Sequence, residues 1–187
     1  MASTPLSFSP TVPLPNGLVA PQLRHLSGAP VRAAICDANL LEPIAPADGG
    51  RAVAPVRQQL DARLWCLPGV YCLLWDPGKD PTEVYVGSSN DLVERLLTHT
   101  REDWTHAVLL TGHGMGRSGA EQAEAALGRV LKAPQPCRRM EPKWEAHPSA
   151  WGADMPWHLF EPLVVLLDLC LRELDIAVRV DPKMAQL

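Results

Sequence analysis

The chain has 187 residues and a formal charge of −4, a balance that excludes binding of nucleic acid or anionic membrane through a diffuse basic surface. Its 5 cysteines are odd in number and contain no Cys-x-x-Cys pair, which argues for free thiols in a reducing compartment and against a disulfide framework or a cysteine-based zinc site. No stretch combines the length and apolarity of a membrane span.

Residues 1–63 are rich in Pro and Ala, with little periodicity and no long apolar run, and read as a disordered or loosely ordered arm that folding can dispense with. The folded core is then expected to begin near Leu64. Residues 1–36 hold no acidic side chain but carry Arg24 and Arg32, and Val31-Arg32-Ala33-Ala34 resembles a plastid transit-peptide cleavage site. A Pro/Ala-rich bacterial tail has the same composition. The bacterial cytoplasm is the preferred location and the plastid the alternative.

The chain's 2 tyrosines fall in paired motifs, Gly69-Val70-Tyr71 and Tyr85-Val86-Gly87. Each lies in an apolar, β-prone run, Val70 to Trp75 and Glu83 to Val86, and Asp76-Pro77-Gly78-Lys79-Asp80-Pro81 between them is dense in turn formers. The two phenols are therefore expected on neighbouring strands of one hairpin. Ser88-Ser89-Asn90-Asp91 is a helix-start cluster, and Leu92 to His99 then reads as a short amphipathic helix that puts Arg95 and His99 on one face. An Arg95 pair with Asp91 is the ordinary alternative for that arginine.

A third strand is expected at Ala107 to Thr111, ended by Gly112-His113-Gly114-Met115-Gly116. Ser118-Gly119-Ala120-Glu121 has the spacing of a capping box, which assigns Glu121 to the helix start. Glu124, one turn on, borders the apolar stripe Ala120, Ala123, Leu127, Val130 and Leu131, and so is placed to point into a site beside the sheet. His99, His106 and His113 recur every 7 residues but would fall on a helix, a strand and a loop, which argues against a histidine metal site. Residues 134–187 comprise a proline- and tryptophan-rich segment and an amphipathic helix over Leu159 to Leu174. Trp144, Trp151 and Trp157 there, interleaved with Arg138, Arg139 and Lys143, either stack on unpaired bases or tuck against the domain.

Taken in order, Gly-Val-Tyr, Tyr-Val-Gly, Arg95, His99 and a helix carrying Glu124 three residues before Leu127 resemble the GIY-YIG nuclease family over about residues 64–133. The resemblance implies an α/β (α+β) fold with a small three-stranded, mainly antiparallel sheet flanked by helices. It implies Tyr71 as general base, Tyr85 and His99 in support, Arg95 on the phosphate and Glu124 on Mg²⁺ or Mn²⁺. The expected function is metal-dependent hydrolysis of DNA phosphodiester bonds, directed by DNA structure or by a partner. The alternative is a domain of the same kind that no longer cuts and serves as a nucleic-acid-binding or protein-interaction module.

The chemistry makes the same demands. Phosphodiester hydrolysis needs a deprotonated water, neutralised equatorial oxygens and a stabilised leaving oxygen. Arg95 could meet the second need and a divalent ion on Glu124 the third. A free phenol titrates near about 10, so Tyr71 needs help to lose its proton near neutrality. Two features depart from the family pattern. The only asparagines, Asn16, Asn39 and Asn90, precede the Glu124 helix where relatives usually carry one after it, and Ser88 stands where many relatives place a Lys. Residues 64–133 carry 6 basic against 9 acidic side chains, so a nucleic-acid footprint has to be local. Its candidates are Gly87, Ser88, Arg117 and Arg129, with Arg95 and Arg138-Arg139.

Overall fold

Strand β4 (Gly69–Trp75) carries no charged side chain, and every residue from Gly69 to Leu74 is buried. A strand of that kind needs cover on both faces. In the computed structural model, which describes residues 6–10, 13, 19–43, 45, 48–52, 54–59, 65–75, 83–99, 103–132 and 157–176, it has that cover. β4 lies between β5 (Glu83–Ser89) and β6 (His106–Gly112), antiparallel to both. The sheet continues from β6 to β3 (Val31–Asp37), β2 (Leu23–Leu26) and β1 (Leu6–Phe8), giving the order β1-β2-β3-β6-β4-β5. The fold is α+β, with a six-stranded antiparallel open sheet. Its helices among the described residues are α1 (Pro55–Gln59), α2 (Leu92–Leu97), α3 (Arg117–Lys132) and α4 (Trp157–Glu173), with a 3₁₀ turn at Ala38–Leu41.

The period-2 alternation of the strands sorts the core into two layers. On one face Val70, Cys72, Leu74, Val84, Val86, Val108 and Leu110 pack against Ala120, Ala123 and Leu127 of α3 and Phe160, Leu163, Val164 and Leu167 of α4. On the other, Tyr71, Leu73, Leu109, Ala34 and Cys36 pack beneath Leu92, Val93 and Leu96 of α2, with Trp65, Trp104, Leu40 and Val56. Arg57 and Glu94 form an ion pair that joins α1 to α2. No helix among the described residues is long and apolar enough to cross a membrane. Cys36, Cys66, Cys72 and Cys170 are free thiols, Cys66 alone of these being exposed; Cys137 lies outside the described residues.

The expected three strands are present, but they are half of the sheet. Residues read as a dispensable arm supply β1, β2 and β3, and β3 pairs with β6 over its whole length, from Val31 opposite Gly112 to Asp37 opposite His106. Composition hid these strands. Their core positions are largely small, Ala33, Ala34 and Cys36, each fully buried. β2 turns Arg24, only 4% exposed, inward alongside Leu26. Its guanidinium is satisfied from a distance: Nε donates to Glu173 Oε2 at 2.9 Å across 149 residues of sequence, a second nitrogen donates to the Gln22 carbonyl at 2.8 Å, and the group lies 5.8 Å from the Phe8 ring centroid. The carboxyl-terminal helix runs over Trp157–Glu173, and Pro162 sits in its second turn without ending it.

Deleting residues 1–41 would therefore remove three strands, bare the β6 edge and strip Glu173 of its guanidinium. Urea unfolding followed by circular dichroism should lose its single cooperative transition in the truncated chain. A truncated chain with the full-length midpoint would mean that these strands contribute nothing to the fold.

Candidate active site at the sheet edge

Both glycines of the paired motifs are required by packing. Tyr71 and Gly87 are direct partners across β4 and β5. A Cβ at Gly87 would come within 2.5 Å of Tyr71 Cζ, so only a residue without a side chain lets the phenol lean across β5 towards the outer edge of the sheet. At Gly69 a Cβ would meet the Leu110 carbonyl oxygen at 2.5 Å and Leu92 Cδ1 at 2.6 Å. The first glycine thus lets α2 sit down on the sheet. Gly87, expected as a nucleic-acid contact, makes room for Tyr71.

The helix-start cluster fixes α2. The Asp91 carboxylate accepts from the Glu94 backbone N–H at 2.8 Å, and Ser89 Oγ accepts from the Asp91 N–H at 3.1 Å while donating to the Asp91 carbonyl at 2.8 Å. With its carboxylate occupied by the cap, Asp91 does not hold Arg95. Leu92, Val93 and Leu96 bury one side of the helix and turn Arg95 towards the phenols. Arg95 Nε donates to the Tyr71 hydroxyl at 3.1 Å, and Tyr85 is close enough to act on the same guanidinium. His99, just past the end of the helix, stands edge-on to both rings, 5.5 Å from Tyr71 and 5.6 Å from Tyr85, and the two phenol centroids are 6.1 Å apart. Tyr71, Tyr85, Arg95 and His99 thus converge on one face.

Burial governs the electrostatics of this cluster. Tyr71 is 1% exposed, and loss of water pushes its hydroxyl well above the ordinary phenol range; the Arg95 hydrogen bond opposes this, and Tyr85 adds to it. Arg95 is held above its usual value, chiefly by its bond to Tyr71. In this form Tyr71 is a neutral phenol, accepting from Arg95 and keeping its own proton.

Glu124 is not on that face. Ser88 lies opposite Val70, so its side chain points to the α3 layer, where its hydroxyl donates to Glu124 Oε2. Glu124, expected to share one site with Tyr71, Tyr85, Arg95 and His99, instead approaches β5 from the opposite face of the sheet, which leaves four of the five on one face. Sequence periodicity marked Ala120, Ala123, Leu127 and Leu131 as the buried side of α3 but could not tell which face of the sheet they cover. β5 is the outermost strand, so the phenol and the carboxylate meet the same edge from opposite sides. Ser88, expected at a phosphate-facing position, is bonded to Glu124. The signal for this was present in β5, where Tyr85 and Gly87 alternate with Val84, Val86 and Ser88.

The capping box does not form. α3 begins at Arg117, the Gly116 carbonyl accepts from the Ala120 N–H at 3.0 Å, and Glu121 accepts from Arg117 Nε at 2.9 Å. Ser118 Oγ instead accepts from Gln122 Nε2 at 3.4 Å. Arg117, another expected phosphate contact, is exposed and paired with Glu121. The Arg129 side chain, Arg138-Arg139 and the segment with Trp144 and Trp151 lie outside the described residues. Among the described residues no three His, Cys, Asp or Glu side chains group as metal ligands, His99, His106 and His113 included. The chain matches no protein-family model, no curated protein and no solved structure.

Gly87→Ala should destabilise the protein by about 1–3 kcal/mol through overpacking against Tyr71. Gly119→Ala is the control: its Cβ would meet Met115 Cγ at an ordinary 3.6 Å, and removing a helical glycine should stabilise by about 0.5–1 kcal/mol. Urea unfolding of both variants measures the contrast, and equal effects would contradict the packing account.

Alkaline pH provides a second measurement. Burial pushes the Cys36 and Cys170 thiols up to about 12 from 9.0, and Tyr71 upward as well. Below pH 9 these groups are protonated in both states and do not make stability depend on pH. Above it the unfolded chain releases protons that the folded chain retains. Unfolding free energy should thus fall between about pH 9 and pH 12, and a flat profile through that window would place these groups in water.

Proposed function

We propose that the chain is a metal-dependent phosphodiesterase of the GIY-YIG kind that cleaves DNA at the outer edge of β5. The observation that carries this reading is the convergence of Tyr71, Tyr85, Arg95 and His99 from two strands and a helix end, with Gly69 and Gly87 in contacts that no other residue allows. Core packing alone has no need to bring a guanidinium, two phenols and an imidazole together.

The division of labour follows from these contacts. Arg95, already directed at the phenols, offers its remaining N–H groups to a phosphate and neutralises charge on the equatorial oxygens. The same guanidinium favours the ionised form of Tyr71 against the opposing effect of burial; once the phenol has passed its own proton to solvent, the phenolate can take a proton from the attacking water. Tyr85 and His99 hold the Tyr71 ring in place. Glu124 offers a carboxylate, the donor chemistry that a hard cation takes, and Mg²⁺ commonly retains several waters and uses one or two carboxylates. Glu124 would hold such an ion, or Mn²⁺, which when bound would supply Lewis-acid stabilisation of the leaving oxygen.

A second reading is favoured by a specific observation. Tyr71 is shut away from water and resists ionisation, as suits a domain of this kind that binds without cutting. Nicking of supercoiled plasmid with Mg²⁺ or with chelator separates the two. Metal-dependent nicking is expected, with Tyr71→Phe and Glu124→Ala each losing about 10²–10⁴-fold, while Glu121→Ala, which breaks only an exposed pair with Arg117, keeps its activity. Wild-type protein that binds a labelled duplex and leaves plasmid intact would select the binding module. Affinity for bulk duplex should be weak, and with about three phosphate contacts log K should fall against log salt with a slope near −3.

A further inference from the structure

We infer that Ser88 is the positioning residue for Glu124, and that the site straddles the edge strand, with its phenol half and its carboxylate half hung on the consecutive residues Gly87 and Ser88. This rests on the phosphodiesterase reading. Val84 and Val86 are each 2% exposed beneath α3, and Ser88 continues their row as its only polar member. At that point the α3 face presents Glu124, and the Ser88 hydroxyl donates to Oε2. A hydroxyl that donates stabilises the ionised carboxylate and fixes one of its oxygens, which orients the other.

The neighbouring residues divide the same work. Gly87, one peptide unit away and about 3.8 Å by Cα, faces the opposite layer and admits the Tyr71 ring. Ser89 faces that layer too and is committed to the Asp91 cap of α2. Ser88 therefore ties α3 to the edge strand, and Ser89 ties α2 to it. Arg95 thus stands on one side of the β5 edge and Glu124, which would hold the cation, on the other. Serine fits this role where a longer side chain would not, because it reaches Glu124 with one rotatable bond and adds no charge of its own.

The test is Mn²⁺ binding to the full chain, followed by the electron paramagnetic resonance signal of free Mn²⁺, alongside nicking as a function of Mg²⁺ concentration. Ser88→Ala should weaken Mn²⁺ binding about 10–100-fold, the usual effect of losing a group that orients a metal ligand, and raise the half-saturating Mg²⁺ for nicking by the same factor. Ser88→Thr, which keeps the hydroxyl on a side chain suited to a strand, should restore wild-type binding, and Glu124→Gln should abolish it. An unfolding midpoint of Ser88→Ala close to wild type assigns the loss to positioning. Ser88→Ala that binds Mn²⁺ as wild type does, in a protein that nicks, overturns the role of Ser88 and leaves the enzyme reading standing. Wild-type protein that neither binds Mn²⁺ nor nicks overturns that reading and this inference with it.

Discussion

The arrangement of the site depends on one register, the pairing of β4 with β5 that sets Tyr71 opposite Gly87. A slip of one residue would send every side chain of β5 to the other face of the sheet. Ser88 would then collide with the phenol, and Tyr85 would leave Arg95 and His99. The apolar alternation of both strands guards against this, since Val84 and Val86 would lose the α3 layer in the same movement. The hydrophobic pattern and the site chemistry are thus satisfied by a single register.

Much of the site was legible because its signals are local. The paired motifs give a hairpin, the cluster before Leu92 gives a cap, and a spacing of four residues sets Arg95 and His99 one turn apart. What stayed hidden depends on distant partners. β2 turns an arginine inward, which reads as a surface strand until Glu173 is brought beside it. β3 fills most of its core positions with alanine and cysteine, and such small residues leave little apolar rhythm to detect. The Ser118 to Glu121 spacing is a valid cap signal overridden by a neighbour: Arg117 takes Glu121, and the helix starts two residues earlier. The choice of face for α3 is likewise a tertiary matter. The stripe identifies the side of the helix that is buried, while the layer it enters is decided by the connection through β6 and by α4, which fills the rest of the same face.

Opposing electrostatic demands meet at Tyr71. Packing has removed the ring from water, which favours the neutral phenol, and Arg95 has been brought within hydrogen-bonding distance, which favours the phenolate. Burial is the larger effect in the form described here. An added positive charge or a wetter surface at the edge of β5 would tilt the balance the other way, so the protonation state of Tyr71 is sensitive to whatever occupies that edge. Arg24 illustrates the opposite solution. Its charge is buried and permanent, and the fold satisfies it with a carboxylate, a backbone carbonyl and an aromatic face.

The Arg24 and Glu173 contact also bears on how the chain acquires its structure. Synthesis delivers β2 first, and its buried guanidinium has no carboxylate until another 149 residues have been made. β3 likewise waits for β6, since its other neighbour, β2, cannot cover it alone. Contacts so distant in sequence are costly to close and form late. The sheet is therefore expected to grow from one edge, beginning with the local β4–β5 hairpin and β6 beside it, with the amino-terminal strands docking onto a partly built domain. A nascent chain stalled before α4 would expose β2 with an unmatched charge on its inner side, in a state that chaperones and proteases distinguish from the finished fold.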